Sequence, residues 1–356
     1  MSHRESQTQL LNLVNRPAFY AKDGVITYAN QAAASMLLVS GIELAPYLPF
    51  DIAELETLPE GSLCTVLTFG GHSHPANVTS HEEGFLFLLD SQEDLESLRT
   101  LALAAQQLRM PLNDLLGESV ELFSYFRESP ETMDRSRRMM QNMMQLLRIV
   151  GNMADAREFS ANPTGFMERV ELNSLFDEIF QKAANLAEPL GVSIAFTPAK
   201  QAIKVWGDIQ QLERCVLNLL ANALRFTPQG GRVQARLQAL GTQAILRMED
   251  SGEGLHEAVK STLFDRYSRE PALEDSRYGL GLGLMLCRMI ATNHGGALFI
   301  GPGKSGGTAA VLSLPIREDK SENVLSMPMR VDYTGSWDHA LVELSGVLPP
   351  EAMDYL

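Results

Sequence analysis

Two asparagines, Asn218 and Asn222, stand four apart in Leu217-Asn218-Leu219-Leu220-Ala221-Asn222-Ala223. On a helix that spacing lays both amides on one face, with Val216, Leu219, Leu220 and Ala223 filling much of the rest. Two neutral oxygen donors so arranged suit a magnesium ion that already carries triphosphate oxygens and water. Taken alone, the pair fits a polar stripe on an amphipathic helix equally well. A second run is Met248-Glu249-Asp250-Ser251-Gly252-Glu253-Gly254. Ala244, Leu246, Met248 and Asp250 share one face of a strand with period two. A carboxylate that continues an apolar face requires a partner, because burying it unpaired is costly. Gly252 and Gly254 let a ligand reach the backbone, and an adenine amino group is a suitable donor to Asp250; a tight turn capped by Asp250 is the plainer alternative. Third, Gly279-Leu280-Gly281-Leu282-Gly283 opens a helical pattern. Closely spaced backbone N–H groups at a helix start favour an anion. This run alone is weak evidence, and it lacks the spacing of the dinucleotide fingerprint. Gly303-Lys304-Ser305 mimics the end of a P-loop, but the glycine needed five residues earlier is Leu298, so a hairpin turn is expected there.

These residues need elements to hold them. Across residues 168–316 helical and strand patterns alternate. Helices are expected over 172–190, 209–225 and 282–293. Strands are expected over 192–196, 202–206, 232–240, 243–249 and 309–314, with a turn at Gly241. Residues 92–158 show almost no strand signal. Leu98, Ala105, Leu112, Ser119 and Phe126 recur every seven, and Leu101, Leu108, Leu115 and Leu122 recur three residues on. That is an a/d seam. After Ser129-Pro130 a second helix carries Met133, Met140, Leu147 and Ala154 in one row and Met143 and Val150 in another. One such hairpin leaves an apolar stripe exposed, so a homodimer through 92–158, closing a four-helix bundle, is expected. The six methionines from Met133 to Met153 fit a bundle core, or an adaptable surface for a second protein. Residues 10–90 read as short α/β elements. Lys22-Asp23-Gly24 marks a hairpin, Asn30 opens a helix running to Leu38, and 65–69 and 85–89 read as strands around Gly70-Gly71. His72, His74 and His81 read as a polar loop, with a metal cluster as the sharper alternative. Residues 317–356 begin polar and end in a short helical pattern near Trp337 to Ser345, with no functional reading.

Composition narrows the function classes. The 356 residues suggest two or three domains, and 45% hydrophobic content supplies more than one core. With 29 basic against 44 acidic residues the formal charge is −15, a poor match for nucleic acid or an anionic membrane surface. No apolar run approaches a spanning length, and no signal-peptide pattern is present, so a cytoplasmic protein without membrane insertion is expected. Cys64, Cys215 and Cys287 are few and far apart, as expected of reduced thiols.

The three motifs in this order, with Leu263-Phe264-Asp265-Arg266-Tyr267 between the second and third, resemble the ATP-binding domain of sensor histidine kinases, from the superfamily shared with gyrase. The match takes in His294-Gly295-Gly296 and runs from Gly307-Thr308 to Pro315. The resemblance implies an α+β multidomain chain: a PAS-like sensory α/β domain at 10–90, a two-helix dimerisation hairpin at 92–158 and an α/β-sandwich ATP-binding domain at 168–316. On that model Asn218 and Asn222 serve Mg²⁺ and phosphate, Arg225 faces the phosphates and Asp250 reads adenine. Gly252 and Gly254 shape the adenine pocket, and Gly279, Gly281 and Gly283 form the lid hinge and phosphate loop. ATP and Mg²⁺ are the implied cofactors, and a partner kinase or a response regulator is the implied partner.

The hairpin departs from the family. Where the family carries His-Glu-Leu-Arg-Thr-Pro-Leu, this chain has Gln106-Gln107-Leu108-Arg109-Met110-Pro111-Leu112. An imidazole keeps a lone pair near neutral pH, whereas a Gln amide nitrogen has given its lone pair to the carbonyl. Gln107 replaces the neighbouring carboxylate base, and Met110 replaces the hydroxyl residue that positions water. Autophosphorylation on this hairpin is therefore expected to be absent. A nucleotide-gated signalling protein is the leading expectation. A kinase acting on a partner's His or Ser/Thr, and a scaffold with little or no nucleotide binding, are the alternatives.

Overall fold

The computed structural model describes residues 11–12, 14, 16–49, 61–81, 84–90, 92–124, 130–161, 166–255, 282–304, 306–316, 334 and 337–355. The readings placed on Phe126, Leu263 to Tyr267, Gly279 and Gly281 lie outside the described residues, as do the side chains of Leu98 and Leu101.

Strands β1 (Ala18–Lys22) and β2 (Val25–Ala29) pair around Asp23 and Gly24, whose φ values of 50 and 77 are both left-handed. That backbone matches the twist of a two-residue hairpin. Asn30 caps the short helix α1 (Gln31–Ser35), accepting from Ala33 N at 2.9 Å and from Ala18 N at 3.1 Å, which ties the helix start to β1. The helix ends at Ser35 rather than Leu38. Strands β3 (Ser62–Phe69), β4 (His72–His81) and β5 (Gly84–Leu89) complete an antiparallel sheet in the order β2-β1-β5-β4-β3. The polar loop expected at His72, His74 and His81 is in fact β4. Its ladders to β3 and β5 hold it from both sides, which overrides its polar composition. His74 stacks on Phe69 with ring centroids 4.1 Å apart, and among the described residues no cluster of metal-ligating side chains forms.

Helices α2 (Gln92–Ser124) and α3 (Pro130–Ala161) form the hairpin. Ala102, Ala105, Leu116 and Ser119 of α2 are buried, as are Met140, Met143, Met144, Leu147 and Val150 of α3. Leu108, Leu115 and Leu122 are about half exposed and form a stripe along the outside of the single chain.

The third region opens with β6 (Glu168–Glu171), which pairs with β8 (Lys204–Gly207) in a small separate sheet. Then come α4 (Leu172–Ala187), β7 (Ser193–Thr197), α5 (Ile209–Phe226), β9 (Arg232–Leu240) and β10 (Gln243–Asp250). Helix α6 (Leu282–Asn293), β11 (Ala297–Pro302) and β12 (Thr308–Pro315) complete it. The sheet order is β11-β12-β10-β9-β7, antiparallel except for β7 beside β9. Strict alternation on β9 and β10 turns Val233, Ala235, Leu237, Ala244, Leu246 and Met248 inward, where they share one core with α4, α5 and α6. The stretch at Gly303 is the turn between β11 and β12, with φ of 85 and 70 at Gly306 and Gly307.

Residues 10–90 and 168–316 read in sequence as separate domains, yet their strands form one continuous sheet. β11 pairs antiparallel with β3, with Leu298 opposite Cys64 and Phe299 opposite Leu63, so ten strands run in one sheet. Phe299 is 5% exposed and belongs to the core of the first region, beside Leu63, Leu67 and Phe87. Gly61 permits the approach: a Cβ there would lie 2.6 Å from the Ile300 carbonyl oxygen. Arg288 of α6 reaches across, donating to Asn77 Oδ1 at 3.0 Å and forming an ion pair with Asp90.

The chain ends in helix α7 (His339–Leu344) and a 3-10 segment (Pro350–Tyr355), which pack on α3, α4 and α5. Among the described residues, no helix is long and apolar enough to cross a membrane.

Candidate functional site

Helix α5 carries the two asparagines. Asp208 caps it, accepting from Gln210 N at 3.0 Å and Gln211 N at 3.2 Å. Capping satisfies N–H groups that the first turn leaves unpaired. The next turns bury an almost continuous apolar surface from Leu212 to Leu224. Asn218 lies within that surface at 3% exposure, while Asn222, one turn on, is half-buried. The side-chain Oδ1 of Asn218 faces the first turn of α6, since a Cβ on Gly283 would sit 2.7 Å from it. Only glycine lets α6 come that close.

Asp250 ends β10 on the inward face. Its Oδ1 accepts from Gly252 N at 2.9 Å and from Thr308 N at 3.1 Å. Glycines wall it on two sides. A Cβ on Gly307 would lie 2.1 Å from the Asp250 carbonyl oxygen, and one on Gly252 would lie 2.4 Å from that of Phe226. Burial raises the Asp250 carboxyl above the usual carboxylate range, against the pull of those two N–H groups, and Glu249 adds to the rise. The result is a recessed carboxylate lined by backbone. It can accept from an amino group of a flat ligand, and no side chain at 252 or 307 would block the approach. Gly254 follows at φ 81.

Arg225 lies half-buried at the C-terminal end of α5. Burial, with Arg148 of α3 beside it, lowers its guanidinium to about 10. Two cations set close together in a recess suit an anionic ligand.

Several residues at this site had no reading from sequence. Glu343 of α7 is fully buried, and its Oε2 accepts from Asn218 Nδ2 at 3.1 Å. The other Nδ2 hydrogen goes to Arg214 O at 3.0 Å. Glu343 Oε1 lies 3.1 Å from Arg214 Nε. Arg214, 2% exposed, also pairs with Asp155 and donates to Asn152 Oδ1 at 2.7 Å, both on α3. Asp155 in turn lies 3.8 Å from Arg109 Nη1 on α2. A chain of alternating charge thus runs from the hairpin through α5 to the tail. One signal was present in the sequence: Glu343 interrupts the apolar run Ala340-Leu341-Val342-Glu343-Leu344.

On the hairpin, Gln106 and Gln107 are exposed and Met110 is 65% exposed. Pro111 inside α2 supplies no N–H to the Gln107 carbonyl. Nothing at the exposed Gln106 side chain changes its chemistry: it remains an amide.

Residues 207–318 match the family model described as histidine kinase-, DNA gyrase B- and HSP90-like ATPase. The chain is 30% identical to a mycobacterial sensor histidine kinase, MprB, over 42% of this chain and 98% of that one, at a TM-score of 0.37. This chain belongs to the sensor histidine kinase family. Sensor protein SrrB of Staphylococcus aureus is 24% identical over 233 residues, which is 64% of this chain and 40% of SrrB. The chain therefore spans well under half the length of that curated relative. Among solved structures, full-length ShkA in complex with AMPPNP is similar in fold, at 22% identity and a TM-score of 0.50, over 61% of this chain and 45% of that one. The matched model spans α5, Asp250, Gly283 and β12, so the histidine-kinase-type ATPase domain contains the asparagine face, the recessed carboxylate and the glycine-limited approach of α6.

Proposed function

We propose that this chain binds ATP with Mg²⁺ in the recess between α5, the β10–β12 end and α6, and that it signals through conformation rather than through phosphate on its own hairpin. The observation that carries the reading is Asp250, a recessed carboxylate held by Gly252 N and Thr308 N and walled by glycines. In this reading Asp250 accepts from the adenine amino group, with Gly252 and Gly254 giving the base room. Asn222 and Asn218 hold the metal and phosphate oxygens, Arg225 offsets phosphate charge, and Gly279, Gly281 and Gly283 supply backbone N–H groups to the phosphates. The bound nucleotide would supply a transferable γ-phosphoryl group, but the exposed amide of Gln106 has no nucleophilic lone pair to receive it. Residues 10–90 serve as the PAS-like input and 92–158 as the dimerising hairpin. The half-exposed Leu108, Leu115 and Leu122 support pairing with a second copy.

Isothermal titration with ATP and Mg²⁺ tests the reading. Binding is expected in the intact chain and is expected to weaken at least tenfold in Asp250→Ala and in Asn222→Ala. Absence of heat in the intact chain, or identical affinity in both variants, would contradict it. A second reading retains catalysis on another protein, with phosphate passed to a partner's His or Ser/Thr. The supporting observation is that the recess is kept while Gln106 is exposed and inert. Labelled ATP incubated with candidate partners separates the two.

A further inference from the structure

The family assignment leaves the C-terminal segment, Thr334 and residues 337–355, without a role, yet it packs like core. Thr334, Glu343, Leu344 and Ser345 are fully buried, and Ala340, Leu341, Val342, Leu348 and Ala352 nearly so. It is fastened on two sides. Toward the ATPase domain, Asp338 pairs with Lys182 and His339 Nδ1 lies 2.6 Å from Glu213 Oε2. Toward the hairpin, α3 grips it through four side chains. Gln141 donates to the carbonyls of Ser345 at 3.1 Å and Leu348 at 2.6 Å. Gln145 donates to Ser345 O at 3.2 Å and Arg148 to Glu343 O at 2.7 Å. Arg137 closes the end with paired bonds to both carboxylate oxygens of Asp354.

What lies under this fastening matters. Glu343 takes one amide hydrogen of Asn218, and Arg214 O takes the other. One turn on, Gly346 brings backbone against the cation at the recess: a Cβ there would lie 3.3 Å from Arg225 Nη2. A fully buried carboxylate thus lies against one of the two asparagines assigned to the phosphates, and a like charge brought up beside it in a medium of low dielectric is repelled. Both Glu343 oxygens are engaged by groups of α5, Arg214 and Asn218.

We propose that residues 337–355 form an autoinhibitory strap: docked, Glu343 and Gly346 occupy the phosphate side of the ATP recess and pin the ATPase domain to α3, so strap docking and Mg²⁺–ATP binding oppose each other. This rests on the ATP-binding reading above. Coupling between two binding events is reciprocal, so ATP must loosen the strap by the same factor that the strap weakens ATP.

The test uses the full chain and two readouts. The first is Mg²⁺–ATP affinity of wild type against the double variant Arg137→Ala/Gln141→Ala, which loosens the strap at residues remote from the recess. Affinity is expected to tighten about fivefold or more, within the usual range of coupling. The second, which needs no variant, is amide hydrogen exchange of residues 339–355 in wild type with and without saturating Mg²⁺–ATP, where protection is expected to fall on binding. Equal affinity within twofold, weaker binding in the double variant, or unchanged protection would overturn the strap while leaving ATP binding intact. No binding in either form would overturn the ATP reading and the strap with it.

Discussion

Asp250 and Arg214 are single buried groups whose charge can be removed one at a time. Burial raises the Asp250 carboxyl, so the folded state holds the charged form less readily than the unfolded chain does, and that charge costs stability at neutral pH. Asp250→Asn keeps the shape and an accepting oxygen while removing that charge. The folded chain is then expected to be no less stable at pH 7 by chemical denaturation, while ATP binding is lost because the neutral amide accepts more weakly from adenine. Arg214 behaves in the opposite way. Replacing it by Met strands Asp155 and Glu343, both nearly or fully buried. Breaking a buried pair in this way typically costs about 3–5 kcal/mol, and urea unfolding would read the loss directly. Asn218, Asn222, Asp250 and Gly283 could be singled out by residue type and spacing alone, and the structure sets Asn218 against Gly283 and surrounds Asp250 with glycines. Glu343 was not, because its partners Arg214 and Asn218 are more than a hundred positions away in the chain.

At the level of elements, local signals were good where a period was clean. The helix pattern over 282–293 and the strand pairs around Gly241 are found as read. β4 escaped notice because its His, Ser, Pro and Asn content reads as loop, and its strand form comes from the ladders on either side. β11 escaped because Ala297 to Gly301 are all buried, which erases alternation. A testable consequence at this scale concerns the start of α5. His294 Nε2 accepts from Asp208 N at 3.0 Å, and Nδ1–H faces Ile290 O at 2.7 Å, so the ring is held neutral. Burial lowers its pKa below the ordinary 6.5. A lowered folded value means that its contribution is fully present above the unfolded pKa and is lost as pH falls through the folded one. Stability measured by urea unfolding should decline from pH 7.5 to pH 5 in wild type, and by less in His294→Gln. Equal slopes would show that the ring does not link the α6 end to the α5 cap.

Across the whole molecule the junctions were the least visible feature. The sheet pairing of β3 with β11 and the docking of the tail on α3 involve contacts between regions that each look self-sufficient in sequence. Their consequence is mechanical. The first sheet, through Asn77 and Asp90, holds Arg288 on the helix whose first turn abuts Asn218. Cutting the junction with Phe299→Ala removes a buried ring, a change that typically costs about 3–5 kcal/mol, and calorimetry should then resolve separate transitions for the two regions. The exposed Leu108, Leu115 and Leu122 stripe should close against a second copy. Light scattering is expected to give a dimer for the wild type and a monomer for Leu115→Glu.

In the proposed reading the nucleotide recess is competent while the amide of Gln106 cannot accept phosphate. Incubating the purified chain with γ-labelled ATP and Mg²⁺, beside Gln106→His, tests it most directly. No acid-labile label is expected on the wild type, and label is expected at residue 106 of the variant. Acid-labile label on the wild-type chain would contradict the reading.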